Sequence, residues 1–102
     1  MKAVIINKNN FDEMSKNEKP LLLDFYANWC GPCKILSPII DEIAEERDDI
    51  VVGKVNVDAE PELAEQFNVF SIPTLVIMKD GEIIHQSSGA RPKAQILNLL
   101  ND

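Results

Sequence analysis

The sequence predicts an α/β domain in which a central mixed β-sheet carries helices on both faces, in the order βαβαβαββα. Segment 20–27 is apolar on both alternating faces, which is typical of a strand covered on both sides, and segment 50–58 is interpreted as a second interior strand. Segments with helical spacing separate these strands, and Asp80-Gly81 is typical of a β-hairpin turn. Crossover helices would join parallel strands early in the chain, and the hairpin would close the sheet. We therefore expect one domain over 1–102.

The first predicted elements alternate between strand and helix. A short strand over 3–6 precedes a helix over 10–19. Asn10 would be the N-cap of this helix, and Glu13 would complete a capping arrangement. The buried strand 20–27 follows directly.

The second helix is predicted to have Cys30 as its N-cap, and the segment from Cys33 to Asp48 shows helical spacing. Its apolar residues at helical spacing are Leu36, Ile39, Ile40 and Ile43. Pro38 lies inside this helix and cannot donate to the carbonyl of Lys34, so we expect a kink there.

The second half of the chain is predicted to contain three strands and two short helices. The predicted elements are strand 50–58, a helix that buries Leu63, Ala64 and Phe67, strands 73–78 and 82–88, and a helix over 92–100 that buries Ile96, Leu97 and Leu100.

The charge of the chain argues against two classes of partner. There are 10 Lys and Arg residues against 17 Asp and Glu, so the net charge is -7. Phosphate backbones and anionic lipid surfaces would be repelled, so we expect neither nucleic acid nor membrane binding. The first residues contain only a short apolar run, too short for a secretory signal or a membrane span. A cytoplasmic location is predicted, although a secreted form whose leader was removed would look the same.

The only two cysteines, Cys30 and Cys33, lie where the buried strand passes into the second helix. With Cys30 as N-cap, Pro32 occupies an early helical position where its missing N–H costs nothing. The free amide of Cys33 and the positive helix end would stabilise a Cys30 thiolate and lower its pKa from the usual value of about 8.5. Cys33, one turn further, should be more buried. We therefore expect Cys30 to attack and Cys33 to resolve, with Gly31 and Pro32 keeping the pair preorganised.

Two other uses of the cysteine pair are weaker. A structural zinc site needs four ligands, and the chain supplies two cysteines and one histidine, His85, which we expect on the solvent side of a strand. A permanent disulfide across so small a loop would restrict the unfolded chain little, and it would need an oxidising compartment.

The segment WCGPCK after LLLDFYA resembles the thioredoxin family, and the similarity covers essentially the whole chain. Further matching positions are Asp24, Pro38, Lys54, Asp58, the IPT segment 72–74, Asp80-Gly81 and Gly89. The resemblance implies the thioredoxin fold and a redox-active cysteine pair. Tyr26, Asn28 and the Phe70-Ser71 pair depart from the family pattern or lie at variable positions, which affects partner preference rather than chemistry.

The resemblance gives Asp24 a proton-relay role towards Cys33, directly or through a water. Burial would raise the pKa of Asp24 and Lys54 would lower it, and we expect burial to prevail. Asp24 would then accept a proton near neutral pH. The alternatives are a purely structural carboxylate at Asp24 and a solvated lysine at Lys54.

Trp29 and Asp58 form a second implied pair. Trp29 would be a partly exposed ring beside Cys30, and by resemblance its indole N–H would bond Asp58. The alternatives are a core position for Trp29 and a cap on the following helix for Asp58.

The resemblance also implies a substrate surface around Cys30. Energetics alone favour a trans bond before Pro73, but in the family this proline is cis and faces the cysteines. The backbone of Ile72 would then pair with an extended substrate segment. Gly31, Gly89 and Ala90 would complete this surface, although Gly89 also suits a plain turn.

The predicted function is a general protein disulfide reductase without a bound metal or organic cofactor. The family implies recharging by thioredoxin reductase, an NADPH-dependent flavoenzyme, disulfide-containing protein targets, and a monomer. Two rivals remain: a disulfide oxidase or isomerase, and a binding subunit without redox turnover. A reduction potential near about -120 to -180 mV would favour the oxidase or isomerase. A function that survives loss of both cysteines would favour the binding subunit.

Overall fold

Within residues 1–101, the part that this computed structural model describes, the chain forms five strands and four helices. The strands are β1 (Val4–Ile5), β2 (Leu21–Tyr26), β3 (Val51–Asn56), β4 (Thr74–Lys79) and β5 (Glu82–Ser88). The helices are α1 (Phe11–Ser15), α2 (Gly31–Glu46), α3 (Pro61–Gln66) and α4 (Lys93–Leu100). The predicted order βαβαβαββα is confirmed.

The strands form one mixed sheet in the spatial order β1-β3-β2-β4-β5. β3 pairs in parallel with both β1 and β2, whereas β4 runs antiparallel to β2 and β5 antiparallel to β4. Asp80 and Gly81 both have positive φ, 54° and 80°, as a two-residue hairpin turn of type I′ requires. The predicted hairpin and mixed sheet are therefore confirmed.

Helices cover both faces of the sheet because the central strands are apolar on both sides. On one face, Leu21, Leu23 and Phe25 of β2 pack with residues of α1 and α3. On the other face, Leu22 packs with residues of α2 and with Ile96 of α4. Since side chains alternate along a strand, Asp24 lies on the same face as Leu22, beneath α2.

The first helix is shorter than predicted, and its capping arrangement is wrong. α1 ends at Ser15 instead of Lys19, because Asn17 Oδ1 accepts the Lys19 N–H and holds the chain in a local turn. Asn10 is the N-cap, but its side chain makes no cap hydrogen bond. Its Nδ2 instead donates to Ile5 O at 2.9 Å, which ties the helix start to β1.

Two further expectations concern Pro38 and His85. α2 continues through Pro38 without interruption, and the kink expected there stays a prediction. His85 on β5 is half-buried rather than on the solvent side, with its Nε2 3.1 Å from Ser87 Oγ. Among residues 1–101, no helix combines the length and the apolar character needed to cross a membrane.

Candidate active site

The cysteine pair lies at the junction of β2 and α2. After β2 ends, the Cys30 N–H donates to Ala27 O at 3.2 Å and turns the chain into the helix. Cys30 is the N-cap of α2, and its Sγ accepts the Cys33 N–H at 3.2 Å. The two cysteines are joined by a disulfide, with their Cα atoms 5.3 Å apart. The helix start predicted from Gly31 and Pro32 is confirmed.

Both cysteines are largely shielded in this disulfide form. Cys30 is 5% exposed and Cys33 is 2% exposed, so the predicted difference in burial has the expected sign but is small. Ala27 forms one buried cluster with the two cysteines, and Ile72 packs against this cluster. The carbonyl oxygen of Ile72 lies 3.9 Å from Cys30 Sγ. Gly31 and Pro32, which lie between the two cysteines, are exposed.

Trp29 stands beside the pair as a largely exposed ring. Its side chain is 71% exposed, and its Nε1–H donates to Asp58 Oδ2 at 2.9 Å. The hydrogen bond implied by resemblance is therefore present. Asp58 does not cap the following helix, since α3 begins at Pro61 with Glu60 as its N-cap. The capping alternative for Asp58 is wrong.

The loop before β4 is held against the loop before α4. The Ile72–Pro73 peptide bond is cis, as the resemblance implied and energetics alone did not. The Gly89 N–H donates to Pro73 O at 2.8 Å. Gly89 has φ +98°, a conformation that side-chain-bearing residues rarely adopt. Gly89 is therefore a specific junction between two loops of the site rather than a plain turn, with Ala90 exposed next to it.

Asp24 is buried beneath α2 without a hydrogen bond to either cysteine. The residue is 1% exposed, and its Oδ1 has no hydrogen-bond partner among residues 1–101. Burial raises the pKa of Asp24 from 3.8 to about 6, against the lowering effect of Lys54. The negative charge of Asp41 raises this pKa further. The expectation that burial prevails over Lys54 is confirmed.

Lys54 contacts α2 rather than Asp24. Its Nζ donates to Ser37 Oγ at 2.8 Å and lies 2.7 Å from Asp41 Oδ1. Neither Ser37 nor Asp41 was among the predicted site residues. The sequence contains a pattern that could have identified them: Cys33, Ser37 and Asp41 are spaced four residues apart and therefore share one side of α2.

Phe70 is a second feature that the sequence did not identify as part of the site. Its ring is 92% exposed and lies two residues before Ile72, whose carbonyl faces the cysteine pair. A single exposed apolar side chain is common on protein surfaces, so the position of Phe70 beside the Ile72–Pro73 loop is what relates it to the site. The loop Phe70-Ser71 was noted only as a variable segment, and exposure cannot be read from composition.

The comparisons with known proteins agree with this geometry. The family model described as Thioredoxin matches residues 2–102. The chain is 50% identical over 92 residues to a thioredoxin of Mycobacterium tuberculosis (strain ATCC 25618 / H37Rv), covering 89% of this chain and 78% of that protein. It is 43% identical over 93 residues to the bifunctional thioredoxin reductase/thioredoxin of Mycobacterium leprae (strain TN), covering 90% of this chain and 20% of that protein.

Solved structures give the same result. A mutant thioredoxin from Halobacterium salinarum NRC-1 is similar with a TM-score of 0.92 and 32% identity, covering 98% of this chain and 88% of that one. The predicted fold and the resemblance drawn from the cysteine motif are confirmed. The chain belongs to the thioredoxin family of thiol–disulfide oxidoreductases, and it is a protein disulfide reductase.

Proposed function

We propose that this protein disulfide reductase works through Cys30 as nucleophile and Cys33 as resolving cysteine. The observation that carries the assignment is the hydrogen bond from the Cys33 N–H to Cys30 Sγ at the first turn of α2. After reduction, the same amide and the helix N-terminus would stabilise a thiolate at Cys30. Cys33 has no comparable position, since it lies inside the first turn and is 2% exposed.

The reaction transfers two electrons in two exchanges. The Cys30 thiolate attacks one sulfur of the substrate disulfide, forms a mixed disulfide and releases the other substrate sulfur as a thiolate. Cys33 then loses its proton and attacks Cys30 Sγ. This step forms the Cys30–Cys33 disulfide, breaks the mixed disulfide and releases the second substrate thiolate. The substrate is reduced and the chain is left in the disulfide form.

Asp24 is the proposed acceptor of the Cys33 proton. A carboxyl group whose pKa is raised to about 6 is ionised at neutral pH yet still basic enough to take a proton. Asp24 lies on β2 three residues before Ala27, which packs against Cys33. In the disulfide form Cys33 carries no S–H, so the proton transfer follows reduction and would run directly to Asp24 or through a water. Lys54 tunes the proton affinity of Asp24 through its positive charge.

The proposed substrate surface surrounds Cys30. On one side lie Trp29, Gly31 and Pro32, and on the other lies the Ile72–Pro73 loop with Gly89 and Ala90. Asp58 supports Trp29 through the indole hydrogen bond. Pro38 belongs to α2, the helix that carries the cysteines. An extended substrate segment would pair with the backbone of Ile72, as in strand addition. Phe70 extends this surface with an exposed apolar ring.

The oxidised chain would be recharged by a separate thioredoxin reductase. The fusion of both activities in the Mycobacterium leprae relative supports a partner of this kind. We propose an NADPH-dependent flavoenzyme as donor, a monomeric chain without a bound cofactor, and a cytoplasmic location. Among residues 1–101, no three His, Cys, Asp or Glu side chains are arranged as a metal site.

A trapping experiment tests the roles of the two cysteines. Reduced Cys33→Ser should accumulate mixed disulfides with disulfide-containing proteins, because its Cys30 attacks and nothing resolves the product. Cys30→Ser is the matched control and should accumulate none. The adducts are counted on non-reducing gels and the attached cysteine is identified by mass spectrometry. Equal trapping by the two variants would refute the assignment.

A further inference from the structure

We propose that Asp41 is a positioning residue that holds the Lys54 ammonium on the side of α2 and thereby controls the charge next to Asp24. The inference deepens the proposed function, since its consequence for turnover rests on Asp24 as proton acceptor. Asp41 touches neither cysteine, so it would act entirely through Lys54 and through its own charge.

The register of the sheet places Lys54 opposite Asp24. The two residues are partners on the adjacent parallel strands β3 and β2. Neighbouring strands lie about 4.8 Å apart, so a lysine side chain that turned towards β2 would reach the carboxylate. The Lys54 ammonium instead lies 2.7 Å from Asp41 Oδ1 and 2.8 Å from Ser37 Oγ. Two groups of α2 therefore compete with Asp24 for one ammonium.

The competition matters because the Lys54 side chain is itself mostly buried. It is 13% exposed, so its charge is weakly screened by solvent. A direct pair with Asp24 would lower the pKa of that carboxyl by about 1–3 units. The pKa of Asp24 is instead raised to about 6 by burial, with Lys54 opposing and Asp41 adding to the rise. Asp41 thus favours a raised pKa of Asp24 in two ways. It anchors the Lys54 ammonium on α2, and it adds a negative charge of its own.

Within residues 1–101, Asp41 is the ionisable group that forms an ion pair with the Lys54 ammonium. The ionisable groups that line the two clefts beside Lys54 and Cys33 are Lys2, Tyr26, Lys34, Asp41, Glu45 and Lys54. Further along α2, Glu42 and Glu46 pair with Lys93 of α4. Glu45 lines the same cleft as Asp41 and Lys54 but forms no ion pair with Lys54. The β4 neighbour of Asp24 is Leu75, and α4 contributes the buried Ile96 to this face.

Ser37 connects this cluster to the resolving cysteine. It lies one helical turn after Cys33, and both residues line a cleft of about 130 Å³ at the edge of the site. The residue whose hydroxyl accepts the Lys54 hydrogen bond therefore shares a cleft with the cysteine whose proton must leave. The position of the ammonium consequently affects the part of the site where the proton moves.

The direct test measures the pKa of Asp24 in the oxidised protein by carboxyl NMR. Asp41→Ala should lower this pKa by about one unit, because the ammonium is released towards Asp24 and a negative charge is lost. Glu45→Ala is the matched control, with the same charge removed from the same helix and cleft, and should leave the pKa unchanged. Asp41→Glu keeps an anchor and should restore the parent value. An unchanged Asp24 pKa in Asp41→Ala overturns the proposal.

A double-mutant cycle separates positioning from simple charge. In a Lys54→Met background, Asp41→Ala should shift the pKa of Asp24 by clearly less than in the parent, since no ammonium remains to be released. Equal shifts in the two backgrounds would show that Asp41 acts only through its charge, and the positioning role would be wrong.

A kinetic readout distinguishes failure of this inference from failure of the proposed function. Reduced protein is mixed with an aromatic disulfide that releases one coloured thiolate in each exchange, and the second, resolving phase is followed against pH. Asp41→Ala should move the midpoint of that phase to lower pH by the same amount as the Asp24 pKa. If the pKa moves and the kinetic midpoint does not, the positioning role stands and Asp24 is not the proton acceptor.

Discussion

The carbonyl oxygen of Pro73 accepts the Gly89 N–H at 2.8 Å, and this hydrogen bond joins two loops that are 16 residues apart in the chain. One loop faces the cysteine pair through Ile72, and the other leads into α4. Because Gly89 has φ +98°, the N–H points at Pro73 only while the backbone keeps a conformation that glycine tolerates. The link between these two loops therefore depends on the backbone conformation of Gly89.

Replacing Gly89 should cost stability through backbone strain alone. A Cβ at Gly89 would meet no heavy atom within 4 Å, so Gly89→Ala creates no clash. The positive φ should still destabilise the variant by about 1–3 kcal/mol. Gly31→Ala is the matched control, because its Cβ also meets nothing within 4 Å and its φ is not positive. Urea unfolding of the oxidised proteins measures both, and equal free energies of unfolding would contradict the strain.

Removing the charge of Asp24 should stabilise the oxidised protein at neutral and alkaline pH. The folded-state pKa of about 6 lies above the ordinary value of 3.8, so the folded protein binds this proton more tightly than the unfolded chain. The stability of the parent then falls as pH rises from about 4 to 6 and stays reduced above. The gap between the two values corresponds to about 3 kcal/mol. Asp24→Asn should gain up to that amount at pH 8 and almost nothing near pH 3.5.

Denaturant unfolding at several pH values measures this profile. Asp49→Asn is a control of opposite sign, because hydrogen bonding by Arg47 lowers the pKa of Asp49, so removal of its charge should give no gain at pH 8. A stabilisation by Asp24→Asn that is the same at pH 3.5 and pH 8 would show that packing rather than ionisation is responsible.

The Asp58 carboxylate should restrain the ring of Trp29. The indole is 71% exposed, and its hydrogen bond to Asp58 is the polar contact that the structure gives it. Asp58→Ala should increase the mobility of the ring and change stability by less than about 1 kcal/mol, since both groups are exposed. Trp29 is the only tryptophan, so time-resolved fluorescence anisotropy reports on it alone.

Asp58→Asn provides the matched control for this measurement. Its amide oxygen can still accept the indole N–H, so the anisotropy decay should stay close to that of the parent. If Asp58→Ala and the parent gave the same decay, another contact would have to hold the ring in place.

Local sequence patterns predicted the elements and the cysteine geometry, because these depend on residues close together in the chain. The N-cap at Cys30 follows from Gly31 and Pro32 in the first helical turn, and the hairpin follows from Asp80-Gly81. The length of α1 was wrong because Asn17 bonds the backbone of Lys19 instead of continuing the helix.

Contacts between distant elements were less accessible from the sequence. Lys54 was expected to act on Asp24, its neighbour in the sheet, and the competing anchor at Asp41 comes from the covering helix. The spacing of residues along the chain does not predict which of two carboxylates a lysine will contact. The cis bond before Pro73 is similar, since energetics favour trans and only the family resemblance indicated cis.

Phe70 should contribute to the binding of protein substrates and not to the chemistry. Its ring is 92% exposed two residues before Ile72, so a substrate held at the cysteine pair could cover it. Complete burial of such a ring is worth about 1.5–3 kcal/mol. Phe70→Ser should therefore raise KM for a protein disulfide by about tenfold, with kcat unchanged, because the interaction is the same in the ground and transition states.

Two comparisons check that the effect is local to the substrate surface. A small soluble disulfide is too short to cover Phe70, so its reduction by Phe70→Ser should match that by the parent. Ile5→Ser removes another exposed apolar side chain, 61% exposed on the far edge strand β1, and should leave KM for the protein disulfide unaltered. A lower kcat in Phe70→Ser, or a similar rise in KM in Ile5→Ser, would show that Phe70 does not act as a binding contact.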